Sequence, residues 1–281
     1  MPFVDFKNVW LAYNDELLAK GQFAVEDISL SVGEGEFIAI VGPSGCGKST
    51  FMKLTTGLKM PSKGSIHIGG QPVTGPLKIS GMAFQAPSLL PWRTTVDNVL
   101  LPLEIVEPYR STFKSKRKEY EARARELLQS VGLAGYEDKF PWQLSGGMQQ
   151  RASICRALVH EPKMLLLDEP FGALDAFTRE ELWCTLRDLH TAKKFNVILV
   201  THDLRESVFL ADTVYCMSRS PGRFVVQRRI DLPRPRDLEV TYTPQFTDIV
   251  HELRGHIGAH RQPPGQTPGP GAGPSAAAVP P

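Results

Sequence analysis

The sequence predicts an α/β fold, and three observations lead to this prediction. The front of the chain has three segments, residues 4–13, 26–32 and 36–41, in which apolar and polar residues alternate with the period of a strand. The third segment runs directly into a glycine-rich turn. Later in the chain, two further apolar strand segments are separated by a helical pattern from about 176 to 193. Strands that alternate with helices in this way are typical of an α/β sheet.

The remaining strands and their connections follow from local patterns. Residues 49–58, after the glycine-rich turn, can form a helix. Residues 64–73 predict a short hairpin around Gly69 and Gly70, since adjacent glycines accept the positive φ angles of tight hairpin turns. The separated strand segments are residues 163–168 and 196–201, and two more strands are expected at 213–218 and 223–230.

A helical insertion is predicted between about residues 87 and 160, where the pattern changes from strand to helix. Its clearest element is a charged helix around residues 116–131. Apolar residues recur there with three- and four-residue spacing, at Tyr120, Ala124, Leu127, Leu128 and Val131. The basic run near Lys116 suggests a lipid or nucleic-acid patch, but the interleaved glutamates favour an ordinary solvated helix face.

Composition narrows the class of protein. With 281 residues, of which 42% are hydrophobic and 22% charged, the chain has the profile of a soluble globular protein with one large domain. A net charge of +2 is too small to indicate a nucleic-acid partner. The four cysteines are scattered without a CxxC pair, which argues against a disulfide framework or zinc site and favours a reducing cytosol. Neither a signal peptide nor an apolar run of about 18 residues is present, so we expect that the chain does not cross a membrane by itself.

A phosphate site is predicted at the glycine-rich turn. The turn matches G-x-x-x-x-G-K-[ST] and lies between a strand and a helix, the context this motif requires. Glycines let successive backbone N–H groups converge on one anion, and the helix directs its positive end to the same point. Lys48 would supply a mobile positive charge for the β- and γ-phosphates, and the Ser49 hydroxyl would complete a Mg²⁺ shell. The nine residues of this nucleotide-binding turn are Gly42, Pro43, Ser44, Gly45, Cys46, Gly47, Lys48, Ser49 and Thr50.

Two carboxylates complete the candidate hydrolytic site. The apolar strand at residues 163–168 ends in Asp168, and Glu169 follows it. The carboxyl end of such a strand lies at the sheet edge where phosphate-binding loops are found. We expect Asp168 to hold Mg²⁺ through water and Glu169 to act as the general base on the attacking water. An acidic pair after an apolar strand is a weak signal alone and a strong one beside a phosphate-binding turn.

A second anion site is predicted at residues 144–151, which read LSGGMQQR. Ser145 is a good N-cap, and Gly146 and Gly147 expose the backbone N–H groups that begin a helix. This stretch matches the signature of ATP-binding cassette proteins, so the chain resembles the ABC transporter ATPase family over roughly residues 3–230. The resemblance implies a P-loop NTPase core with a mixed sheet, an N-terminal antiparallel β subdomain and an inserted α-helical subdomain.

The resemblance also implies a domain division and cofactors. An ABC ATPase domain is expected at residues 3–258, with the helical subdomain of about 87–160 inserted into it. Residues 261–281 consist of Pro, Gly, Ala and a few polar residues, which predicts a disordered tail. The implied cofactors are ATP and Mg²⁺.

Further site residues are implied by the resemblance alone. Tyr13 occupies the place of an aromatic that stacks on adenine, with Trp10 as the rival for that role. Gln85 resembles the glutamine that touches Mg²⁺ and the attacking water while it links the core to the helical subdomain. His202 resembles the switch histidine that contacts the γ-phosphate. Asp175 resembles an aspartate that crosses a dimer interface, although it could equally cap the helix that begins near Ala176.

The family organisation implies partners. Two copies would form a head-to-tail homodimer, in which the signature residues of one copy meet the nucleotide held by the other; these residues are Ser145, Gly146, Gly147 and Gln149. Fused exporters carry membrane helices in the same chain, so separate integral membrane permease subunits are implied here, with a periplasmic or lipid-anchored solute-binding protein acting indirectly. The expected location is the cytoplasmic side of a bacterial inner membrane, as a peripheral subunit. No nucleic-acid partner is expected.

Three short stretches resemble the nitrate, sulfonate and taurine branch of ABC importers. They are LLPW at residues 89–92, SPGR at 220–223 and DLPRPR at 231–236. The apolar segment 87–93, stiffened by Pro87 and Pro91, is suited to receive a short helix of a permease, and core packing between subdomains is its alternative interpretation.

Two other classes of protein compete with the importer interpretation. A non-transport ABC protein of translation or DNA repair usually has two cassettes or a long coiled coil, and this sequence has neither. A P-loop kinase would lack the LSGG stretch and the histidine after the strand at residues 196–201.

Overall fold

The computed structural model describes residues 2–259. The strands in this range are β1 (Val4–Leu11), β2 (Val25–Val32), β3 (Phe37–Val41), β4 (Lys63–Ile68), β5 (Gln71–Pro72), β6 (Ser80–Ala83), β7 (Met164–Asp168), β8 (Asn196–Thr201), β9 (Thr213–Met217) and β10 (Phe224–Arg229). The α-helices are α1 (Asp15–Ala19), α2 (Lys48–Thr55), α3 (Thr95–Leu100), α4 (Tyr109–Thr112), α5 (Arg117–Ser130), α6 (Gly146–Leu158), α7 (Ala176–Lys193), α8 (Leu204–Leu210) and α9 (Pro244–Ala259). The tail predicted to be disordered, residues 261–281, lies outside the described residues.

A six-stranded mixed sheet forms the centre of the fold. Its strand order is β10-β9-β3-β8-β7-β6. The five strands from β9 to β6 pair in parallel, and β10 pairs with β9 in the antiparallel direction. Parallel strands bring their carboxyl ends to one edge, so the turns after β3, β6, β7 and β8 lie along the same edge. The predicted α/β fold with a mixed sheet is confirmed.

A second, antiparallel sheet is built by the first part of the chain, with the order β2-β1-β4-β5. The predicted hairpin is confirmed between β4 and β5. Its turn residues Gly69 and Gly70 have φ angles of 59° and 77°, a conformation that a side chain would disfavour.

The central sheet is buried on both faces, as its continuous apolar strands require. Alternate residues of β3 point to opposite faces. Phe37, Ala39 and Val41 join the core beneath the helices, whereas Ile38 and Ile40 join the core shared with the antiparallel sheet and α2. All five side chains are at most 1% exposed. The four cysteines are free thiols, and Cys46, Cys155 and Cys216 are buried as small core residues.

The stretch predicted to be helical contains α3, α4, α5 and α6. The predicted charged helix is confirmed as α5, and its buried side chains are those of Tyr120, Ala124, Leu127 and Leu128. Helix α6 also packs closely against β6. A Cβ on Gly81 of β6 would lie 2.0 Å from the carbonyl oxygen of Ala157 in α6, so glycine is required there. Within the described part of the chain, every helix is too short or too polar to span a membrane.

Four elements escaped the sequence analysis, namely β6, α1, α8 and α9. Helix α9 carried a readable signal, since Phe246, Ile249 and Leu253 follow helical spacing and are buried. Strand β6 is only four residues long and contains Gly81, which weakens the strand pattern.

Arg236 fastens the end of helix α8 to the rest of the core. It is 2% exposed, and its guanidinium donates hydrogen bonds to the carbonyl oxygens of Val208, Phe209, Ala211 and Ile230 at 2.9, 3.1, 2.7 and 3.2 Å. Three of these carbonyls belong to the end of α8, where intrahelical donors run out. Burial lowers the pKa of Arg236 to about 10, so the side chain remains charged at neutral pH.

We expect Arg236→Met to lower the free energy of unfolding by about 3 kcal/mol, because buried carbonyl groups lose a charged donor. Urea unfolding followed by circular dichroism measures this change. Arg229→Met is the matched control, since the Arg229 side chain is 85% exposed and its contact with Asp231, at 3.8 Å, is long for an ion pair. Equal unfolding midpoints for the two variants would contradict the role given to Arg236.

Candidate active site

The predicted phosphate-binding turn joins β3 to α2 and depends on its glycines. Gly45 and Gly47 have φ angles of 77° and 103°. A Cβ on Gly47 would also lie 2.9 Å from Cγ1 of Val25, so both backbone conformation and space require glycine there. Gly47 is the N-cap of α2, and the unpaired N–H groups of that helix start face the turn.

A cavity of about 300 Å³ opens beside this turn. Five separate parts of the chain contribute its lining, which consists of Tyr13, Ala24, Ser44, Gly45, Gly47, Lys48, Ser49, Thr50, Asp168, Glu169 and Ser220. The structure therefore brings together the predicted adenine-stacking residue, the phosphate-binding turn and the acidic pair. Ser220 was known only as part of a branch motif, and its place in the wall could not be predicted because it depends on the position of β9 beside β3.

The Lys48 side chain is buried, and its ammonium group contacts backbone carbonyl oxygens and a carboxylate. It is 8% exposed, and its ammonium donates to the carbonyl oxygens of Gly42 at 2.8 Å and Pro43 at 3.1 Å. Its Nζ atom lies 4.0 Å from Oε1 of Glu169. A phosphate oxygen that enters the turn would meet a positive charge already held in a medium of reduced dielectric, which strengthens the attraction.

Glu169 lies between Lys48 and His202. Its Oε2 is 3.2 Å from Nδ1 of His202, and its other carboxylate oxygen faces Lys48. The backbone of Glu169 has a φ of 47°, a left-handed conformation that costs on the order of 1 kcal/mol for a residue with a side chain. A hydrogen bond from its N–H to the carbonyl oxygen of Val200 holds this turn at 2.8 Å. The carboxylate is thus kept at the cavity wall, next to a cation and an imidazole.

Asp168 ends β7 and also lines the cavity. Burial raises the pKa of its carboxyl group, the negative charge of Glu169 raises it further, and the positive charge of Lys48 opposes both. A cation bound beside Asp168 would favour the charged form.

Tyr13 lies at the cavity and Trp10 does not line it. The Tyr13 hydroxyl shares a hydrogen bond of 2.7 Å with Oγ1 of Thr50, which ties the loop after β1 to α2. Its ring is 44% exposed and has the ammonium groups of Lys53 and Lys59 about 6 Å from its centre. Trp10 instead packs edge-on against Phe23, with ring centres 4.9 Å apart.

Gln85 follows β6 and faces the turn after Glu169 rather than the cavity. A Cβ on Gly172 would lie 3.2 Å from its amide nitrogen. The signature helix α6 holds the backbone on both sides of Gln85: Gln150 donates to Phe84 O at 2.9 Å, and Arg156 donates to the carbonyl oxygens of Pro87 at 2.6 Å and Ser88 at 2.9 Å. Gln150 and Arg156 were not singled out from the sequence, because their partners are backbone atoms with no pattern of their own.

A comparison with protein families shows the family of this chain. The family model described as ABC transporter matches residues 25–172. The chain belongs to the ABC transporter family. The predicted resemblance is confirmed, and with it the prediction of an ATP-binding, ATP-hydrolysing protein.

Individual relatives of this ABC transporter protein agree with the family match. It is 44% identical over 226 residues to the aliphatic sulfonates import ATP-binding protein SsuB of Bacillus licheniformis, covering 79% of this chain and 85% of that one. It is 42% identical over 222 residues to the taurine import ATP-binding protein TauB of Yersinia pestis, covering 79% and 82% of the two chains. Among solved structures, the dimeric post-hydrolysis state of the ATP-binding cassette MJ0796 bound to ADP and Pi is similar with a TM-score of 0.66 and 29% identity, over 82% of this chain and all of that chain.

The signature residues of this ABC transporter protein lie outside the cavity lining. Ser145 caps α6, and its hydroxyl accepts a hydrogen bond from the N–H of Met148 at 3.3 Å. A Cβ on Gly147 would lie 2.3 Å from Cγ2 of Thr178, so only glycine allows α6 to start against α7. The Gln149 amide donates to Pro141 O at 3.0 Å and Leu144 O at 3.2 Å, which holds the preceding turn. Within this one chain, the signature does not join the phosphate-binding turn.

Asp175 is the N-cap of α7, where its Oδ1 accepts from the N–H of Thr178 at 3.1 Å. Hydrogen bonding from the Thr178 side chain, together with that from the Thr178 N–H, lowers the pKa of the Asp175 carboxyl group. The capping alternative from the sequence analysis is therefore realised, and the second predicted role, a contact with a partner copy, stays a prediction.

We expect Lys48→Ala to weaken ATP binding at least about tenfold, because a charge-assisted contact with the phosphates is lost. Equilibrium titration with a fluorescent ATP analogue measures the affinity. Lys78→Ala, a change at an exposed lysine away from the cavity, should bind like the unmodified protein. An unchanged affinity in Lys48→Ala would mean that phosphates do not bind at this turn.

We expect Glu169→Gln to lower the turnover number at least about a hundredfold, because an amide cannot accept the proton of the attacking water. ATP affinity should stay within about threefold of the original value, since the amide keeps the shape of the side chain. Phosphate release at saturating ATP gives the turnover number. Glu161→Gln, at an exposed glutamate paired with Arg123, is the control. Normal hydrolysis by Glu169→Gln would exclude Glu169 as the base.

Proposed function

We propose that this chain is the ATP-hydrolysing subunit of an importer and that two copies act as a head-to-tail pair. The observation that carries the proposal is the position of Glu169 between Lys48 and His202 at the cavity wall, while the second anion site at Ser145 lies elsewhere on the chain. One half of a composite site is formed within the chain, and a second copy would supply the other half.

In this proposal different residues at the cavity bind the nucleotide and hydrolyse it. The backbone N–H groups of the turn and the ammonium of Lys48 bind the phosphates. The exposed ring of Tyr13 stacks on adenine, which contributes about 1–3 kcal/mol per base in comparable sites. Glu169 accepts a proton from the water that attacks the γ-phosphate. His202, held by Glu169 through Nδ1, presents its other ring nitrogen to the γ-phosphate.

The donor set fits Mg²⁺. The Ser49 hydroxyl and the Asp168 carboxylate line the cavity, with the Gln85 amide as a third candidate, and oxygen ligands are those that Mg²⁺ prefers. Among residues 2–259, no group of three or more His, Cys, Asp or Glu could hold a metal ion by itself. This fits an ion that takes its other ligands from phosphates and water. When bound, Mg²⁺ would neutralise charge on the β- and γ-phosphate oxygens.

The head-to-tail arrangement follows from the two anion sites. The start of α6 presents the N–H groups after Ser145 together with the positive end of a helix, so it can bind a γ-phosphate. The start of α6 lies outside the cavity of its own chain, and this position is explained if it binds the nucleotide held by a second copy. Asp175 and the side chain of Phe177, which is 82% exposed, lie at the neighbouring start of α7 and would be covered in the same interface.

The transport role and the solute class rest on the relatives. Import proteins for aliphatic sulfonates and for taurine are both more than 40% identical to this chain. We infer that the permease served by this chain carries a small sulfonate-type anion, with nitrate as a further member of the predicted branch. The chain would then lie as a peripheral subunit on the cytoplasmic side of the membrane, and a solute-binding protein would act on the other side.

The segment 87–93 is the proposed docking site for the permease. Trp92 is 71% exposed, whereas Leu89 packs against the core. Asn98 fixes the segment, since its amide exchanges hydrogen bonds with the backbone of Leu90 at 2.7 and 3.0 Å. Arg93 pairs with Glu104 through two contacts of 2.8 and 3.0 Å. A rigid segment with an exposed aromatic side chain is suited to receive a helix of a partner.

A complementation experiment tests the head-to-tail pair. Lys48→Ala and Ser145→Arg should each be inactive alone, because each destroys both composite sites of its own dimer. Mixed together, they should regain hydrolysis, since the Ser145→Arg copy still has its phosphate-binding turn and the Lys48→Ala copy still has its signature. Phosphate release by the mixture is the measurement. A mixture as inactive as its components would contradict the arrangement.

Copurification tests the transport role. A tagged copy of the chain, expressed in cells that contain the permease gene neighbouring its own, should bring that permease out of detergent-solubilised membranes. Trp92→Ala should reduce the recovered permease without changing hydrolysis by the soluble chain, and Trp142→Ala, another exposed tryptophan, is the control. Recovery with ribosomes or DNA and without a permease would favour the non-transport classes.

A further inference from the structure

Arg179 joins two catalytic turns that come from different strands. On the first turns of α7, its Nη2 donates to the carbonyl oxygen of Leu174 at 3.0 Å, and its Nη1 donates to Oδ2 of Asp203 at 3.2 Å. Leu174 directly precedes Asp175, and Asp203 directly follows His202. A single guanidinium therefore connects the turn predicted to meet a partner copy with the turn that carries the histidine.

The Asp203 end of this connection is rigid. Its Oδ1 caps α8 by accepting from the N–H groups of Arg205 at 2.8 Å and Glu206 at 3.4 Å. Its own N–H donates to Oγ1 of Thr201 at 3.0 Å, and the Thr201 hydroxyl donates to the buried carboxyl group of Glu206. A displacement of Asp203 must therefore move the start of α8 and, with it, the adjoining His202.

The α7 end of the connection contacts the signature helix. The close approach of Gly147 to Thr178 places the start of α6 directly on the first turn of α7. One turn further along, Arg151 of the signature pairs with Glu181 at 2.6 Å. Thr178, Arg179 and Glu181 thus lie on a short stretch of α7 that contacts both the signature and the two catalytic turns.

We propose that Arg179 is a positioning residue that couples the signature side of the chain to His202. The inference rests on the proposed function, in which the signature and Asp175 meet the nucleotide of the partner copy. When the partner copy binds ATP, contact with that nucleotide holds α6 and the start of α7 in place. Arg179 then transmits this placement through Asp203 to His202, which lies beside Glu169. Hydrolysis at one site then depends on nucleotide at the other.

The geometry explains why this position uses arginine. A guanidinium has a planar fork of donors that can serve Leu174 and Asp203 together, whereas a lysine ammonium acts as one mobile point charge. The Nε atom of Arg179 is buried and makes no hydrogen bond. The contacts that give Arg179 its placement are therefore those of its two terminal nitrogens, to Leu174 and to Asp203.

Steady-state hydrolysis as a function of ATP concentration tests the coupling. The unmodified chain should give a Hill coefficient that approaches its upper limit of about two for two coupled sites. Arg179→Met should lower the turnover number about tenfold and bring the Hill coefficient to about one, with ATP affinity within about threefold, because positioning is lost while the phosphate site is intact. Asp203→Asn should act in the same way, and the double variant should be no worse than either single one.

Two further variants separate coupling from a merely structural role. Arg179→Lys should restore part of the turnover number through Asp203 but not the Hill coefficient, since it cannot also hold Leu174. Arg187→Met makes the same change two turns further along α7, where the side chain donates to the backbone of Arg236, and should keep the Hill coefficient of the unmodified chain.

The outcomes distinguish this inference from the proposed function. An unmodified chain without cooperativity and without complementation between Lys48→Ala and Ser145→Arg would overturn the proposed function itself. A cooperative unmodified chain whose Arg179→Met variant remains equally cooperative would overturn the coupling role alone. A fall in thermal stability with parallel losses in ATP affinity and turnover would assign Arg179 a structural role and would also overturn the inference.

Discussion

The active site depends on one constraint, the common direction of five strands in the central sheet. Strand β3 pairs with β8, and β8 pairs with β7, all in parallel, so their carboxyl ends lie side by side. Lys48 follows the first of these strands, His202 follows the second and Glu169 follows the third. Residues far apart in sequence become neighbours because hydrogen-bonded parallel strands are separated by only about 5 Å.

Burial then sets the electrostatics of this edge. Backbone carbonyl oxygens of the phosphate-binding turn and the Glu169 carboxylate surround the buried ammonium of Lys48. Asp168 and Glu169 place two carboxylates close together, which raises the pKa of Asp168 beyond the effect of burial. Bound phosphates would be paired with Lys48, and a bound divalent cation would be paired with the carboxylates. Neither the negative nor the positive charges would then be left unpaired in a region of reduced dielectric.

Helix α7 gives the fold a link between its two proposed anion sites. Its first turns contact the signature at Gly147 and Arg151, and its Arg179 reaches the turn that carries His202. The contact with Thr178 of α7 also explains why Gly147 of the signature has no room for a side chain. A helix that contacts both regions can respond to both, because close-packed elements move together rather than deform.

Elements with a strong local signal could be predicted from the sequence, and elements without one could not. Helix α7 has the predicted bounds because Asp175 caps its start and its buried residues follow helical spacing. Helix α8 was missed because five successive residues, from Glu206 to Leu210, are buried, so no polar face marks the helix. The position of Tyr13 at the cavity and the packing of Trp10 away from it follow from the path of the chain after β1, which periodicity does not encode.

The sequence by itself determined the chemical groups and the turns that present them. The glycines of residues 42–47, the acidic pair after β7 and the Ser145 cap act through backbone geometry within a few residues, so a local pattern is sufficient to specify them. Tertiary structure alone decided that Ser220 joins the cavity, that Gln150 and Arg156 hold the Gln85 loop and that Arg179 joins the turn after β7 to the turn after β8. These relations depend on strand order and helix packing, which bring together partners that are distant in sequence and that no local residue pattern marks.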